Sequence, residues 1–385
     1  MPITKSTGKK NGKQKYRVRI NYTDSAGKPR QIERTAYGMD EAKETEHALS
    51  MQIKNNAAPA AKTVSQLYEE FKAAKKHEVR ETSLKKITEH IDKYIIPQLG
   101  SAHLDKLTTP VLQNWKLSIE ECTVRDTGKK LSISTKQNIY GNFRALLGYA
   151  VKMEYLNKNP LQNIGNFKDP YAEKKKMDFY TSEEFSKFIT AARQSAETAE
   201  QKGNISEWHF YVFFCIAFFT GLRKGEIHAL KWTDVDNDNV LHVSRSIAQK
   251  LKGEDRETPP KNKSSIRTLQ LPQPLINVLK DHKSRCMHLD GFSEDWRICG
   301  CTKPLRDTTI DKKNKSYAEA AGIKSIRIHD FRHSHASLLA NEGINIQEIA
   351  RRLGHSKIEI TWNTYSHLYP REEERAVKIL NKLTL

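Results

Sequence analysis

At 385 residues the chain exceeds what one ordinary core organises and suits two or three domains. Its 65 Lys and Arg against 46 acidic residues, a formal charge of +19, favour a polyanionic partner, nucleic acid first and a membrane surface second. No apolar run approaches the roughly 18 residues that span a bilayer, and the start MPITKSTGKK lacks the apolar core of a signal peptide, so a cytoplasmic protein is expected.

The basic surplus begins at once: residues 1 to 30 hold nine Lys or Arg and one acid, Asp24. Lys15 to Tyr22 alternates, with Tyr16, Val18 and Ile20 facing one way and Arg17, Arg19 and Asn21 the other, which predicts a half-buried strand. A turn at Asp24-Ser-Ala-Gly27 leads to a second strand around Gln31 to Tyr37, and Met39-Asp40 opens a helix carrying Ala42, Leu49 and Ile53. The arginine face is either merely solvated or a ribbon offered to a DNA groove.

Small residues from Asn55 to Ala61 read as a linker. Four helical stripes follow: Val64, Leu67, Tyr68, Phe71; Leu84, Ile87, Ile91, Ile95; Val111, Leu112, Trp115, Ile119, with Thr109 as cap and Pro110 first in the helix; and Ile139, Phe143, Leu146, Leu147, Ala150. They predict an all-helical domain over 63 to 165. A second linker, Gly165 to Lys176, contains Asp169-Pro170 and the run Lys174-Lys-Lys176.

From Met177 a capping box, Thr181-Ser-Glu-Glu184, opens a mostly helical region with one strand-rich island between Val240 and Leu271. Tyr211 to Ala217 is apolar enough for a buried helix, and its end delivers Arg223 close to the interior. An unpaired guanidinium there costs several kcal/mol, so a carboxylate or an anionic ligand should meet it. Five scattered cysteines make no disulfide framework. Cys299-Gly-Cys301 near His288 lacks a familiar zinc spacing and an evident fourth ligand, so no metal is expected.

Near the C-terminus, His329-Asp-Phe-Arg332-His333-Ser-His335 places 329 and 332, and 332 and 335, on shared helical faces. Ile344 to Leu353 is amphipathic and stops at Gly354, His355 follows in the joint, and Ser356-Lys-Ile-Glu359 reads as a capping box for a helix bearing Tyr365. Three readings compete. A metal on His329 and His333 lacks the carboxylates it would need. A structural reading puts Ile358, Trp362 and Tyr365 on one core stripe. Phosphoryl transfer uses two guanidiniums to clamp phosphate oxygens, a tyrosine as reversible nucleophile, histidines as donors or base, and a lysine to protonate the leaving 5′ oxygen, with no metal required.

These residues closely resemble the tyrosine recombinases, particularly integrases of temperate phages and conjugative transposons, over essentially the whole chain. Thr220-Gly-Leu-Arg223-Lys-Gly-Glu226 is similar to the first family box, which implies Arg223 as phosphate clamp and Glu226 as acidic support. His329-Asp-Phe-Arg332-His333 resembles the H-x-x-R box and Leu353-Gly-His355-Ser the Leu-Gly-His box, and Tyr365 sits where the family nucleophile does. Tyr369 is the non-catalytic neighbour. Thr258-Pro-Pro-Lys261-Asn-Lys263 resembles the hairpin of the catalytic lysine, which implies Lys261, with Lys263 as the alternative.

The resemblance implies a multidomain, mostly α protein: a small β/α arm-type DNA-binding domain over 1–56, a helical core-type DNA-binding domain over 63–165, and a mixed α+β catalytic domain over 174–385. It implies double-stranded DNA with arm-type and core-type sites as partner, a homotetramer on paired sites, an excisionase and a DNA-bending protein as accessory factors, and no cofactor. Glu372 to Leu383 would exchange with a neighbouring subunit or pack in its own. The expected activity is site-specific recombination through a 3′-phosphotyrosyl intermediate at Tyr365, with a type IB topoisomerase-like enzyme or an inactive DNA-binding regulator as the alternatives.

Overall fold

A computed structural model describes residues 3–10, 12–23, 29–56, 62–124, 128–169, 177–248, 256–258, 263–368, 377 and 380–381. It divides into two compact units, Met1–Glu173 and Lys174–Leu385.

In the first unit, β1 (Ile3–Lys10), β2 (Lys13–Thr23) and β3 (Pro29–Tyr37) form an antiparallel sheet in that order, with Ile20 opposite Ile32 and Val18 opposite Arg34. The alternation of β2 is realised: Val18 is buried with Ala36 and with Ala42 and Leu49 of α1 (Met39–Asn56), while Tyr16 and Ile20 flank them. Arg17 and Arg19 lie on the other face, each 2.9 Å from a carboxylate oxygen of Glu33. Strand β1 is an addition to the two expected strands, because ITKSTGKK carries a single apolar residue and no alternation.

A separate core joins α2 (Val64–Glu78), α3 (Glu81–Tyr94), the single turn α4 (Ile96–Leu99), α5 (Thr109–Glu121) and α6 (Ile133–Lys152). Thr63 and Gln66 cap α2 reciprocally. Trp115 meets Phe143 edge to face at 4.8 Å. Thr109 is the first helical residue of α5, not its cap; Thr108 holds the cap position without a side-chain bond, and Val111 is exposed.

The second unit is built around α8 (Ser206–Thr220), apolar on every side and packed between α7 (Ser182–Glu200), α10 (Gln273–Met287) and α12 (Ile328–Asn341). Thr181 and Glu184 form the expected capping box of α7. Phe188, Phe214 and Phe331 are fully buried, each contributing about 2–3 kcal/mol. After α9 (Lys224–Ala229), the strand-rich island resolves into two antiparallel pairs: β4 (Val240–Val243) with β7 (Arg267–Gln270), and β5 (Ser246–Ala248) with β6 (Arg256–Thr258). Helix α11 (Asp307–Ala320) packs on α7, and α13 (Ile346–Leu353) and α14 (Ile358–Tyr365) close the unit. Among the described residues no helix is long and apolar enough to cross a membrane.

Candidate active site

Helix α8 ends at Gly221, left-handed at φ +64°, where a Cβ would lie 2.7 Å from the His335 ring. Only glycine fits so close an approach at that backbone angle. The reversal places Arg223 at the cap of α9, where Glu226 accepts from the Arg223 backbone N–H at 3.0 Å and from its Nη1 at 2.9 Å. Glu226 is buried and also accepts from Nη2 of Arg267 at 2.9 Å. Burial alone would raise its pKa, but the hydrogen bonds and charge of Arg267, with Arg223, outweigh burial and hold it below the carboxylate range. The Arg223 side chain stays 39% exposed, so it is half-buried rather than enclosed. A carboxylate secures one edge of it and leaves the rest for a ligand.

Arg332, on α12, is the enclosed guanidinium. Its Nη1 donates to Gly221 O at 2.8 Å and its Nη2 to Leu353 O at 2.6 Å. Nη2 of Arg223 donates to the next carbonyl, Gly354 O, at 3.4 Å. Burial, and next the Arg223 charge, lower the Arg332 pKa to about 9. Three guanidiniums (Arg223, Arg267, Arg332) thus surround one carboxylate, Glu226, a surplus of two positive charges suited to an anion.

The predicted histidines gather here. His355, just past the left-handed Gly354, shares a 2.7 Å hydrogen bond with the Thr361 hydroxyl, and burial followed by Arg332 and Arg223 lowers its pKa to about 4. His329 keeps an exposed face, and its pKa is lowered by partial desolvation and then by Arg332. Its ring meets that of His333 edge to face at 5.0 Å. Tyr365 is fully buried and its hydroxyl lies 2.5 Å from Nδ1 of His333. Burial raises the phenol to about 12, against the pull of Arg332, and lowers His333 to about 4. His333 is therefore neutral near pH 7, and its Nδ1 can accept the hydrogen bond of the Tyr365 hydroxyl.

Two local expectations change. Ser356 caps nothing: α14 starts after Lys357 with no side-chain cap bond. Ile358 and Trp362 are exposed while Thr361 and Tyr365 are buried, so the core face of α14 is not the Ile358–Trp362–Tyr365 stripe. Lys261 and Tyr369 lie outside the described residues, as does most of Glu372 to Leu383; Lys263 begins a short 3-10 turn leading into β7. Arg267 and the His333–Tyr365 bond were not foreseen. A signal for Arg267 was present, an arginine alternating with Leu269 on the buried face of its strand.

The pattern of the Phage integrase family matches residues 179–372, just over half of the chain. The chain belongs to the phage integrase family. A second pattern, the phage integrase N-terminal SAM-like domain, matches residues 63–117 of this integrase. The ICEBs1 integrase of Bacillus subtilis is 31% identical over 304 residues, 77% of this integrase and 76% of that protein. A XerC-like tyrosine recombinase of Caldanaerobacter subterraneus is 32% identical over 62% of this integrase and 64% of that protein. The Tn1549 transposon integrase, solved with transposon right end DNA, shares the fold at 20% identity and a TM-score of 0.63, covering 84% of this chain and 100% of that one. Lambda integrase, solved as a dimer on a core site, shares it at 18% identity and a TM-score of 0.55 over 81% and 97%. The integrase is thus a site-specific DNA recombinase of the tyrosine type, the first of the three activities expected from its sequence.

Proposed function

We propose that this integrase cuts and rejoins one DNA strand at a time through Tyr365, integrating and excising a mobile element. The observation that carries the residue roles is the pair of guanidiniums on consecutive carbonyls, Arg332 on Leu353 and Arg223 on Gly354. Side by side, they would grip the non-bridging oxygens of one phosphodiester and stabilise the extra charge of its pentavalent state. His355 adds a donor, and His329 acts as donor or base. The Tyr365 oxygen attacks phosphorus and its proton passes to a neutral histidine, with His333 the nearest. The bond to the 5′ oxygen breaks, and that oxygen takes a proton from Lys261, or from Lys263. Religation runs the step backwards with another strand's 5′ hydroxyl. Because Tyr365 starts buried, engagement of DNA must draw α14 from its pocket.

Lys224, Lys315, Arg327 and His329 line one open groove, which suits a DNA backbone approaching the clamp. We assign 1–56 to arm-type sites, 63–165 to core-type sites and 174–385 to catalysis. Lambda integrase has been solved as a tetramer on a Holliday junction. A homotetramer on paired sites, assisted by an excisionase and a bending protein in the cytoplasm, is the assembly proposed here.

A nicked suicide substrate tests the chemistry. With EDTA present for minutes, native protein should form a covalent DNA adduct, and Tyr365→Phe should abolish it while leaving DNA binding within about threefold, since the hydroxyl contributes to the transition state rather than to affinity. An adduct that needs magnesium, or that persists in the variant, overturns the assignment.

A further inference from the structure

A second cluster of reactive side chains lies within the catalytic unit, away from the arginines. His209 stands in the first turn of α8; His282 and Cys286, four apart, share a face of α10; and Cys301 sits in the turn after Ile298. His209 is 5% exposed, and His282 and Cys286 are 1% exposed. Nδ1 of His209 lies 3.1 Å from Nε2 of His282, which is 3.7 Å from Cys286 Sγ. Cys301 Sγ lies 3.3 Å from Nε2 of His209 and shares a hydrogen bond with Cys286.

One ligand atom from each of His209, His282 and Cys286 falls within 4.8 Å of the others. In a tetrahedral zinc site, bonds of about 2.0 Å to nitrogen and 2.3 Å to sulfur separate the ligand atoms by about 3.3–3.8 Å. The spacings about Nε2 of His282, 3.1 Å to Nδ1 of His209 and 3.7 Å to Cys286 Sγ, lie close to that range, whereas Cys301 Sγ meets the opposite ring nitrogen of His209. Hydrogen bonding accounts poorly for the same atoms. Nε2 of His282 is approached by the His209 nitrogen, by Cys286 Sγ and, at 2.9 Å, by Ile298 O, yet it carries at most one proton. Nδ1 of His282 is buried without a partner. Two imidazoles and a thiol thus converge on one buried point, the ligand types and spacing that a zinc ion takes.

We propose that His209, His282 and Cys286 hold a structural Zn²⁺, with Cys301 turning about its Cα–Cβ bond to supply the fourth ligand. Two thiolates and two imidazoles are a borderline-soft set that suits zinc over magnesium or calcium, and four protein ligands close the site to substrate. Cys301, rather than the expected absence of any fourth ligand, completes the set, and His288 takes no part. The metal fastens the start of α8 to α10 and to the 298–301 turn. Thr220, at the far end of α8, is eleven residues on, about 16 Å along the axis, so the metal steadies the helix that delivers Arg223 without touching the reacting phosphate.

The test needs no DNA, so its failure leaves the recombination reading standing. Full-length protein, purified reduced and without chelator, is assayed for zinc by mass spectrometry after dialysis. About one zinc per chain is expected, with cobalt substitution giving a thiolate-to-cobalt charge-transfer band. Cys286→Ser and His282→Gln should each leave below about 0.2 per chain, while Cys122→Ser, in the other unit, should retain the full amount. Prolonged chelation should lower the Tm of the catalytic unit by at least about 5 °C. Native protein that keeps below about 0.2 zinc per chain after incubation with Zn²⁺, or that carries a Cys286–Cys301 disulfide under reducing purification, overturns the proposal.

Discussion

Arg267 stands outside the set expected from the sequence, yet it secures Glu226, which in turn holds Arg223. Its Nε donates to Arg352 O at 2.6 Å and its Nη1 to Ser265 O at 2.9 Å, and its Nη2 grips Glu226. Removing one member of a buried pair strands the other's charge. Arg267→Met should therefore destabilise the catalytic unit by about 3–5 kcal/mol in denaturant melts, and a loss under about 1 kcal/mol would show that Glu226 is satisfied without it. The sequence made Arg223, Arg332, His329, His355 and Tyr365 legible because each stands in a short motif of fixed spacing. Arg267, the bond between His333 and Tyr365, and the His209–Cys301 cluster were not, since the partners lie tens of residues apart and only the tertiary fold unites them. The apolar stripes show which faces are buried, not which polar atoms meet inside.

Helix α12 concentrates four of the site's ionisable side chains in two turns. His335, inside, faces Arg352, Arg332 and Arg267 and bonds Phe218 O at 2.8 Å; burial and those charges lower its pKa to about 3. His333 lies low as well, at about 4, with His329, Asp330, Arg332 and Arg327 around it. The unfolded chain takes up these protons near pH 6.5, and the folded one only well below it. Stability from these groups is thus complete above about pH 6.5 and is lost as pH falls toward 4. The denaturation midpoint of the catalytic unit should drop between pH 7 and pH 4.5, and His335→Gln should flatten that dependence; an invariant midpoint would contradict the burial of these rings. The helix itself was expected from its spacing. The exposure of Ile358 and Trp362 on α14 was not, because apolar periodicity marks a face without saying whether this subunit covers it.

For the whole molecule, a surplus of 19 positive charges predicts affinity for DNA that depends steeply on salt. The N-terminal fragment 1–62, whose sheet and helix share their own small core, should bind duplex DNA at low salt. Each phosphate neutralised should add about 0.9 to the slope of log affinity against log salt. Filter binding between roughly 50 and 200 mM salt measures it, and a fragment indifferent to DNA would remove the arm-binding assignment. Each guanidinium of the clamp also donates to the main chain, and the two acceptors, Leu353 and Gly354, are neighbours with Cα atoms fixed about 3.8 Å apart. One peptide unit therefore serves as a ruler for the grip. A single inserted or deleted residue at this joint would throw the arginines out of step.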